Sequence, residues 1–173
     1  MSGPLDPVAL LRALADAGVD HVVIGGFAVI SHGVVRATRD LDICPDPEPR
    51  NLERLARCLG NLEVVQLGLD EFDEDEIPFD PTRVEDLAAG GNFRLESPVG
   101  ALDIMQSVSG VDGEHAYPAL ARDAVHSEVD GVSVRICSLA SLRAMKRAAG
   151  RPQDLRDLAD LAVAHGGEPD GST

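Results

Sequence analysis

The feature that most constrains this chain is an apolar strand that breaks on two glycines. His21-Val22-Val23-Ile24 is short and fully apolar and runs into Gly25-Gly26; Phe27 to His32 then reads as a short buried helix stopped at Gly33. Two glycines remove both Cβ atoms from the strand-to-helix turn and expose backbone N–H groups at a helix N-terminus, an arrangement that suits a phosphate. The same dipeptide also makes a tight turn with no ligand. Val34 to Cys44 contains a second strand, ended by Pro45, with Asp40 and Asp42 on one face and Leu41 and Ile43 on the other. Extended backwards, Arg36 and Thr38 share the Asp face, so one side of the strand reads Arg, Thr, Asp, Asp. Carboxylates two apart on a strand lie about 6–7 Å apart and repel each other. Divalent cations relieve that repulsion, and two metals roughly 3.5–4 Å apart are a clamp for nucleotidyl transfer. The alternative is an ordinary solvated strand face. Asp103 lies between Leu102 and Ile104, just before Met105, in an otherwise apolar strand. Buried and unpaired it is costly, and facing the same metal it is reasonable; otherwise it is an exposed edge position.

The remaining pattern predicts helices at Pro7 to about Ala17, capped by Asp6 and closed by Gly18, and at Pro49 to Leu59, closed by Gly60. Strands are expected at Leu62 to Leu67, Asn92 to Glu96 and Ala101 to Gln106, with helical turns at Thr82 to Ala88 and a helix at Glu114 to Asp123. His126 to Val129 and Val132 to Ile136 flank Asp130-Gly131, a hairpin signal. Ser138 caps a helix to about Ala148, and Gly150-Arg151-Pro152 separates it from a last helix, Gln153 to Ala164. The expected class is α/β (α+β): a mixed β-sheet with flanking helices and a C-terminal helical pair. Residues 1–137 form the core in this reading, 138–165 the helical pair packed on it, and 166–173 a disordered tail.

Charge narrows the partners. Thirty Asp plus Glu face fifteen Lys plus Arg, a net charge of −15, and Lys146 is the single lysine. No broad nucleic-acid-binding face is expected, because that needs many cations against phosphate; a membrane-surface helix is disfavoured for the same reason. The longest apolar run, Val22 to Ile30, is far short of the ~20 residues that span a bilayer. The opening Met-Ser-Gly-Pro-Leu-Asp has no basic or apolar signal region, so no signal peptide is expected. Cys44, Cys58 and Cys137 read as buried reduced thiols of a cytoplasmic protein. Seven carboxylates crowd Asp70 to Asp80, either a solvated loop or a docking surface for a basic partner. His32 reads as a cap or core residue.

Gly25-Gly26, then Arg36-x-Thr38-x-Asp40-x-Asp42, then a lone Asp103 on a later strand resemble the polymerase-beta-like nucleotidyltransferase superfamily. The Arg-x-Thr-x-Asp-x-Asp form is similar to its small bacterial branch, the AbiEii-type toxins and minimal nucleotidyltransferases. The resemblance spans His21 to about Gln106. A weaker echo is Leu142-x-x-Met145-Lys146, Arg151, Asp154 and Asp157. Many relatives carry Gly-Ser where this chain has Gly25-Gly26, which leaves the backbone N–H without a hydroxyl.

The resemblance implies a nucleotidyltransferase core in which Gly25 and Gly26 hold the β- and γ-phosphates of an NTP. Asp40 and Asp42 would bind two Mg²⁺ ions, and Asp103 would bind one of them and serve or assist as base. Arg36 and Thr38 join the nucleotide site, and Lys146 is expected either at the triphosphate or solvated on an Arg-rich helix face. Asp154 and Asp157 share a helix face, with Arg151 and Arg156 as alternative partners. A nucleoside monophosphate would pass to a hydroxyl acceptor: tRNA or protein in a toxin–antitoxin setting with a cognate partner protein, or a small molecule of the aminoglycoside or lincosamide kind, which suits an acidic cleft. A non-catalytic antitoxin or binding partner with this fold is a third reading, opposed by the intact carboxylate trio.

Overall fold

A computed structural model describes residues 3–68 and 79–167. The acidic segment Asp70 to Asp80 falls outside it except for Phe79 and Asp80, as does most of the expected tail.

Helix α1 (Pro7–Asp16) begins as expected: the Asp6 carboxylate accepts the Ala9 N–H at 2.9 Å, with Pro7 at the first helical position. Strand β1 (His21–Ile24) is buried along its whole length. Helix α2 (Gly25–Ser31) follows without a loop, starting on the glycines themselves. Strand β2 is Asp40–Pro45, so the strand starts at the first aspartate. Arg36 and Thr38 therefore belong to an irregular lead-in, which corrects the expectation of one continuous face.

Helix α3 (Pro49–Asn61) runs past Gly60, and Glu63 takes the positive-φ position in the following turn. The expected strand there shrinks to β3 (Val65–Gln66), because the turn uses up the residues before it. After α4 (Val84–Ala88) come β4 (Asn92–Ser97) and β5 (Gly100–Met105). Helix α5 is Tyr117–Arg122, shorter than expected. The hairpin of β6 (Val125–Val129) and β7 (Val132–Ile136) turns on Asp130 and Gly131, both at positive φ, as the Asp-Gly signal requires. Helices α6 (Leu139–Ala149) and α7 (Pro152–His165) end the fold, with Gly150 as a left-handed cap between them.

One seven-stranded sheet has the order β3-β4-β5-β2-β1-β7-β6. β2 pairs antiparallel with β1 and parallel with β5, so the two strands carrying the aspartates are central neighbours. The mixed sheet with flanking helices is the architecture expected from the element order. Alternation on β2 and β5 sends Leu41, Ile43, Leu102 and Ile104, all 0% exposed, into the core. The core is aliphatic, joined by Leu10, Leu14, Leu55, Leu59 and Leu95. Leu142 and Met145 of α6 enter the same core, which anchors the helical pair beside α2. Among the described residues, no helix is long and apolar enough to cross a membrane. The three cysteines are free and buried.

Candidate functional site: three carboxylates beside a diglycine turn

The opposite face of β2 and β5 carries the chemistry. The parallel register places Asp42 directly across from Asp103, with Asp40 across from Ala101. Leu41 and Ile43 anchor β2 by the core face, and Leu102 and Ile104 do the same for β5. The polar positions between them are thereby held on one side. Neighbouring residues of a parallel pair stand close, so three carboxylates occupy a small area.

Their charges are poorly compensated. Burial, then Asp40 and Asp103, push the Asp42 carboxyl up to about 7; Lys146 and the Gly26 N–H pull it the other way. Burial, then Asp40, push Asp103 up to about 6, with Arg94 on β4 opposing at 3.9 Å. Such a group of largely buried oxygens is chemically suited to a hard divalent cation. Among the described residues, no three His, Cys, Asp or Glu side chains are arranged to hold a metal ion as they stand. The fit therefore rests on donor type and uncompensated charge, and a bound cation would draw the carboxylates together.

Both glycines are dictated by close approach. A Cβ at Gly25 would lie 2.0 Å from Asp42 Oδ2, and its φ of +66° disfavours any other residue. A Cβ at Gly26 would lie 2.7 Å from Thr38 Oγ1 and 3.4 Å from an Arg36 guanidinium nitrogen. The space a serine would fill is thus taken by Thr38, which brings a hydroxyl to the turn from another segment. The Gly26 N–H is directed at Asp42. The turn therefore grips the carboxylate cluster as well as presenting backbone toward the site. Thr38 Oγ1 donates to the Asp40 carbonyl at 3.1 Å.

Arg36 and Lys146 meet in a buried charge network. Arg36 Nη1 donates to both oxygens of Asp157 at 2.7 Å. Lys146 Nζ contacts Asp154 at 2.9 Å and Asp157 at 2.8 Å, with its side chain 8% exposed. The expectation of a solvated lysine on a helix face is corrected: α7 covers it, and two buried carboxylates make its burial tolerable. A triphosphate contact by Lys146 would have to draw on its remaining donor. Asp154 also accepts from the Arg151 N–H and guanidinium at 3.1 and 2.7 Å. Asp157 takes Arg36, Lys146 and Gln153, whereas Arg156 turns to Gln153. The Arg151 partnership expected for this pair is present at Asp154, while Asp157 pairs with Arg36 and Lys146 in place of Arg156.

The structure thus gathers Gly25, Gly26, Thr38, Asp40, Asp42 and Asp103 at one place and brings the Arg36 guanidinium close beside Gly26. Sequence reasoning singled out Lys146 but missed how Asp154 and Asp157 tie it to Arg36. The signal was there, in Arg151-x-x-Asp154-x-x-Asp157 beginning a helix, but while Lys146 lies only eight residues before Asp154, Arg36 lies 121 before Asp157. His32 caps α2 and its Nε2 bonds the Cys137 carbonyl at 2.8 Å, the structural role expected of it.

No protein-family model matches the sequence, and no curated protein matches it. Among solved structures, the chain is similar to the solution structure of the antibiotic-resistance factor ANT(2'')-Ia, with a TM-score of 0.53 and 16% identity over 92% of this chain and 82% of that one. It is also similar to the crystal structure of ANT(2'')-Ia in complex with adenylyl-2''-tobramycin, with a TM-score of 0.51 and 16% identity over 90% of this chain and 84% of that one. At this identity the likeness establishes a shared fold, and it extends over nearly all of both chains.

Proposed function

We propose that this protein is a metal-dependent nucleotidyltransferase that moves a nucleoside monophosphate from an NTP to a hydroxyl of a small, cationic acceptor. The observation that carries the reading is the placement of Asp40, Asp42 and Asp103 on one face, beside a diglycine turn that no side chain fits. The acceptor class is supported by the second solved structure, whose ligand is an aminoglycoside bearing an adenylyl group. It is supported also by charge: a chain at −15 attracts a polyamine and repels a polyanion. The toxin–antitoxin reading, with tRNA or protein as acceptor, rests on the motif resemblance alone.

In this mechanism the acceptor oxygen attacks the α-phosphorus in line, the bond from that phosphorus to the bridging oxygen breaks, and pyrophosphate leaves. Asp103, which stands across from Asp42 on the neighbouring strand, takes the hydroxyl proton. Asp40 and Asp42 would hold Mg²⁺, with Asp103 completing the set, and the bound ions would neutralise the triphosphate and polarise the α-phosphorus. Gly25 and Gly26 let the phosphate chain approach the backbone closely, and Thr38 offers a hydroxyl there.

The test is incubation with each labelled NTP, Mg²⁺ and a panel of aminoglycosides, lincosamides, tRNA and protein. A nucleotidyl mass gain on an aminoglycoside is the expected result. Labelling of tRNA or protein alone would replace the acceptor and keep the chemistry. No transfer to any class, with no NTP binding, would overturn the reading and revive a non-catalytic binding protein.

A further inference from the structure

Nucleotidyl transfer needs cations near the triphosphate tail, and this chain has a shortage of them. A free triphosphate carries roughly −4, and metal ions neutralise part of that. The turn at Gly25 and Gly26 brings no charge, and Lys146 is spent on two buried aspartates. Arg151 differs. Its side chain is 73% exposed, yet the guanidinium is fixed on one edge: Nε lies 2.7 Å and Nη2 3.3 Å from the Asp154 carboxylate, whose side chain is 1% exposed. Its backbone N–H holds the same carboxylate at 3.1 Å.

The anchor leads back to the phosphate turn. Asp154 shares Lys146 with Asp157, Asp157 binds Arg36, and Arg36 reaches the space beside Gly26. Three cations, Arg36, Lys146 and Arg151, thus meet two buried carboxylates, which leaves one positive charge in excess. Arg151 carries it at the surface, within the electrostatic reach of both Asp42 and Asp40. A cation beside the carboxylate cluster suits a triphosphate, whose negative charge would be cancelled only in part by metal ions held on Asp40, Asp42 and Asp103.

We propose that Arg151 is a nucleotide-binding residue whose outer guanidinium edge contacts the terminal phosphates of the NTP, with Asp154 and Lys146 as positioning residues. The inference rests on the nucleotidyltransferase reading. A planar guanidinium held by one edge keeps its other donors aimed at phosphate, so little entropy is lost when the ligand arrives. Lys146 then acts as the internal counter-ion that keeps Asp154 and Asp157 together.

The experiment is calorimetry of the full-length wild type, Arg151→Gln and Arg151→Lys, with Mg²⁺ and the α,β-methylene analogues of the four NTPs, and with the matching nucleoside monophosphates. For the best-bound analogue, Arg151→Gln is expected to weaken binding about 10- to 100-fold, the range for a charge-assisted hydrogen bond. Monophosphate binding should stay within about twofold by the same argument, because the monophosphate lacks the terminal groups. Arg151→Lys should recover part of the loss. Thermal unfolding of each variant checks that the helical pair is intact. Unchanged analogue binding in Arg151→Gln, or an equal loss for analogue and monophosphate, would overturn the proposal while leaving the nucleotidyltransferase reading in place. A wild type that binds none of the analogues would overturn both.

Discussion

Two charged clusters lie side by side in this protein, and they are solved in opposite ways. In the helical pair, Asp154 is buried, with only 1% of its surface exposed. Burial raises its proton affinity, but hydrogen bonds and charges from Arg151 and Lys146 outweigh burial and hold it below the ordinary carboxylate range. On β2 and β5, Asp42 is also largely buried, but its near neighbours are Asp40 and Asp103, and its carboxyl stands at about 7. Where every charge has a partner, the cluster holds the architecture together. Where like charges are kept together, the fold carries a cost that a bound cation would remove.

The widest test of that contrast is activity. Asp42→Asn keeps an acceptor for the Gly26 N–H but halves the charge Asp42 and Asp103 present together, so turnover should fall by at least about 10³-fold, some 4 kcal/mol of transition-state stabilisation. Labelled-NTP transfer measures it, and near-normal turnover would show that the acidic cluster is not the reaction centre. Next comes stability. Lys146→Met leaves Asp154 and Asp157 short of a cation and should cost about 3–5 kcal/mol in denaturant unfolding. Asp42→Asn should instead raise the midpoint at pH 8 without metal. Two substitutions that each remove one charge would then act with opposite sign; equal signs would break the comparison.

The smallest effect is the pH dependence. Asp42 and Asp103 have folded values of about 7 and about 6 against an ordinary 3.8. Their contribution to stability is therefore present below pH ~4 and is lost as pH rises to ~7, because the unfolded chain gives up these protons more readily. Asp42→Asn should flatten the slope, and Mg²⁺ should restore stability most at the alkaline end, where it meets deprotonated oxygens. Melting temperatures across pH 4 to 8, with and without Mg²⁺, read all three; a slope unchanged by Asp42→Asn would assign it to other groups.

Much of the acidic cluster was legible in the linear pattern. Apolar Leu41 and Ile43 alternate with Asp40 and Asp42, and Leu102 and Ile104 flank Asp103, so each strand announces which residues face together. The diglycine was legible as a turn, but not as the place where Asp42 and Thr38 press against the backbone. Arg36 and Thr38 look like further positions on β2 because their spacing continues its period; the strand nevertheless starts at Asp40, and both side chains reach the site by folding over the turn. Gly60 carried a helix-stop signal that α3 overrode, since a single glycine costs only about 1 kcal/mol inside a well-packed helix.

Local order was written in the chain itself: the period-2 alternation, the caps at Asp6 and Ser138, and the Asp130-Gly131 turn each depend on neighbours a few residues away. The pairing of Asp42 with Asp103 was decided by tertiary structure, because it depends on β2 and β5 lying parallel across sixty residues of chain. The fate of Lys146 was decided there too. A lone lysine on an amphipathic helix is equally compatible with solvent or a ligand. Its burial follows from two aspartates on the next helix and an arginine from the β2 lead-in, and Coulomb attraction selects that arrangement only once packing has excluded water.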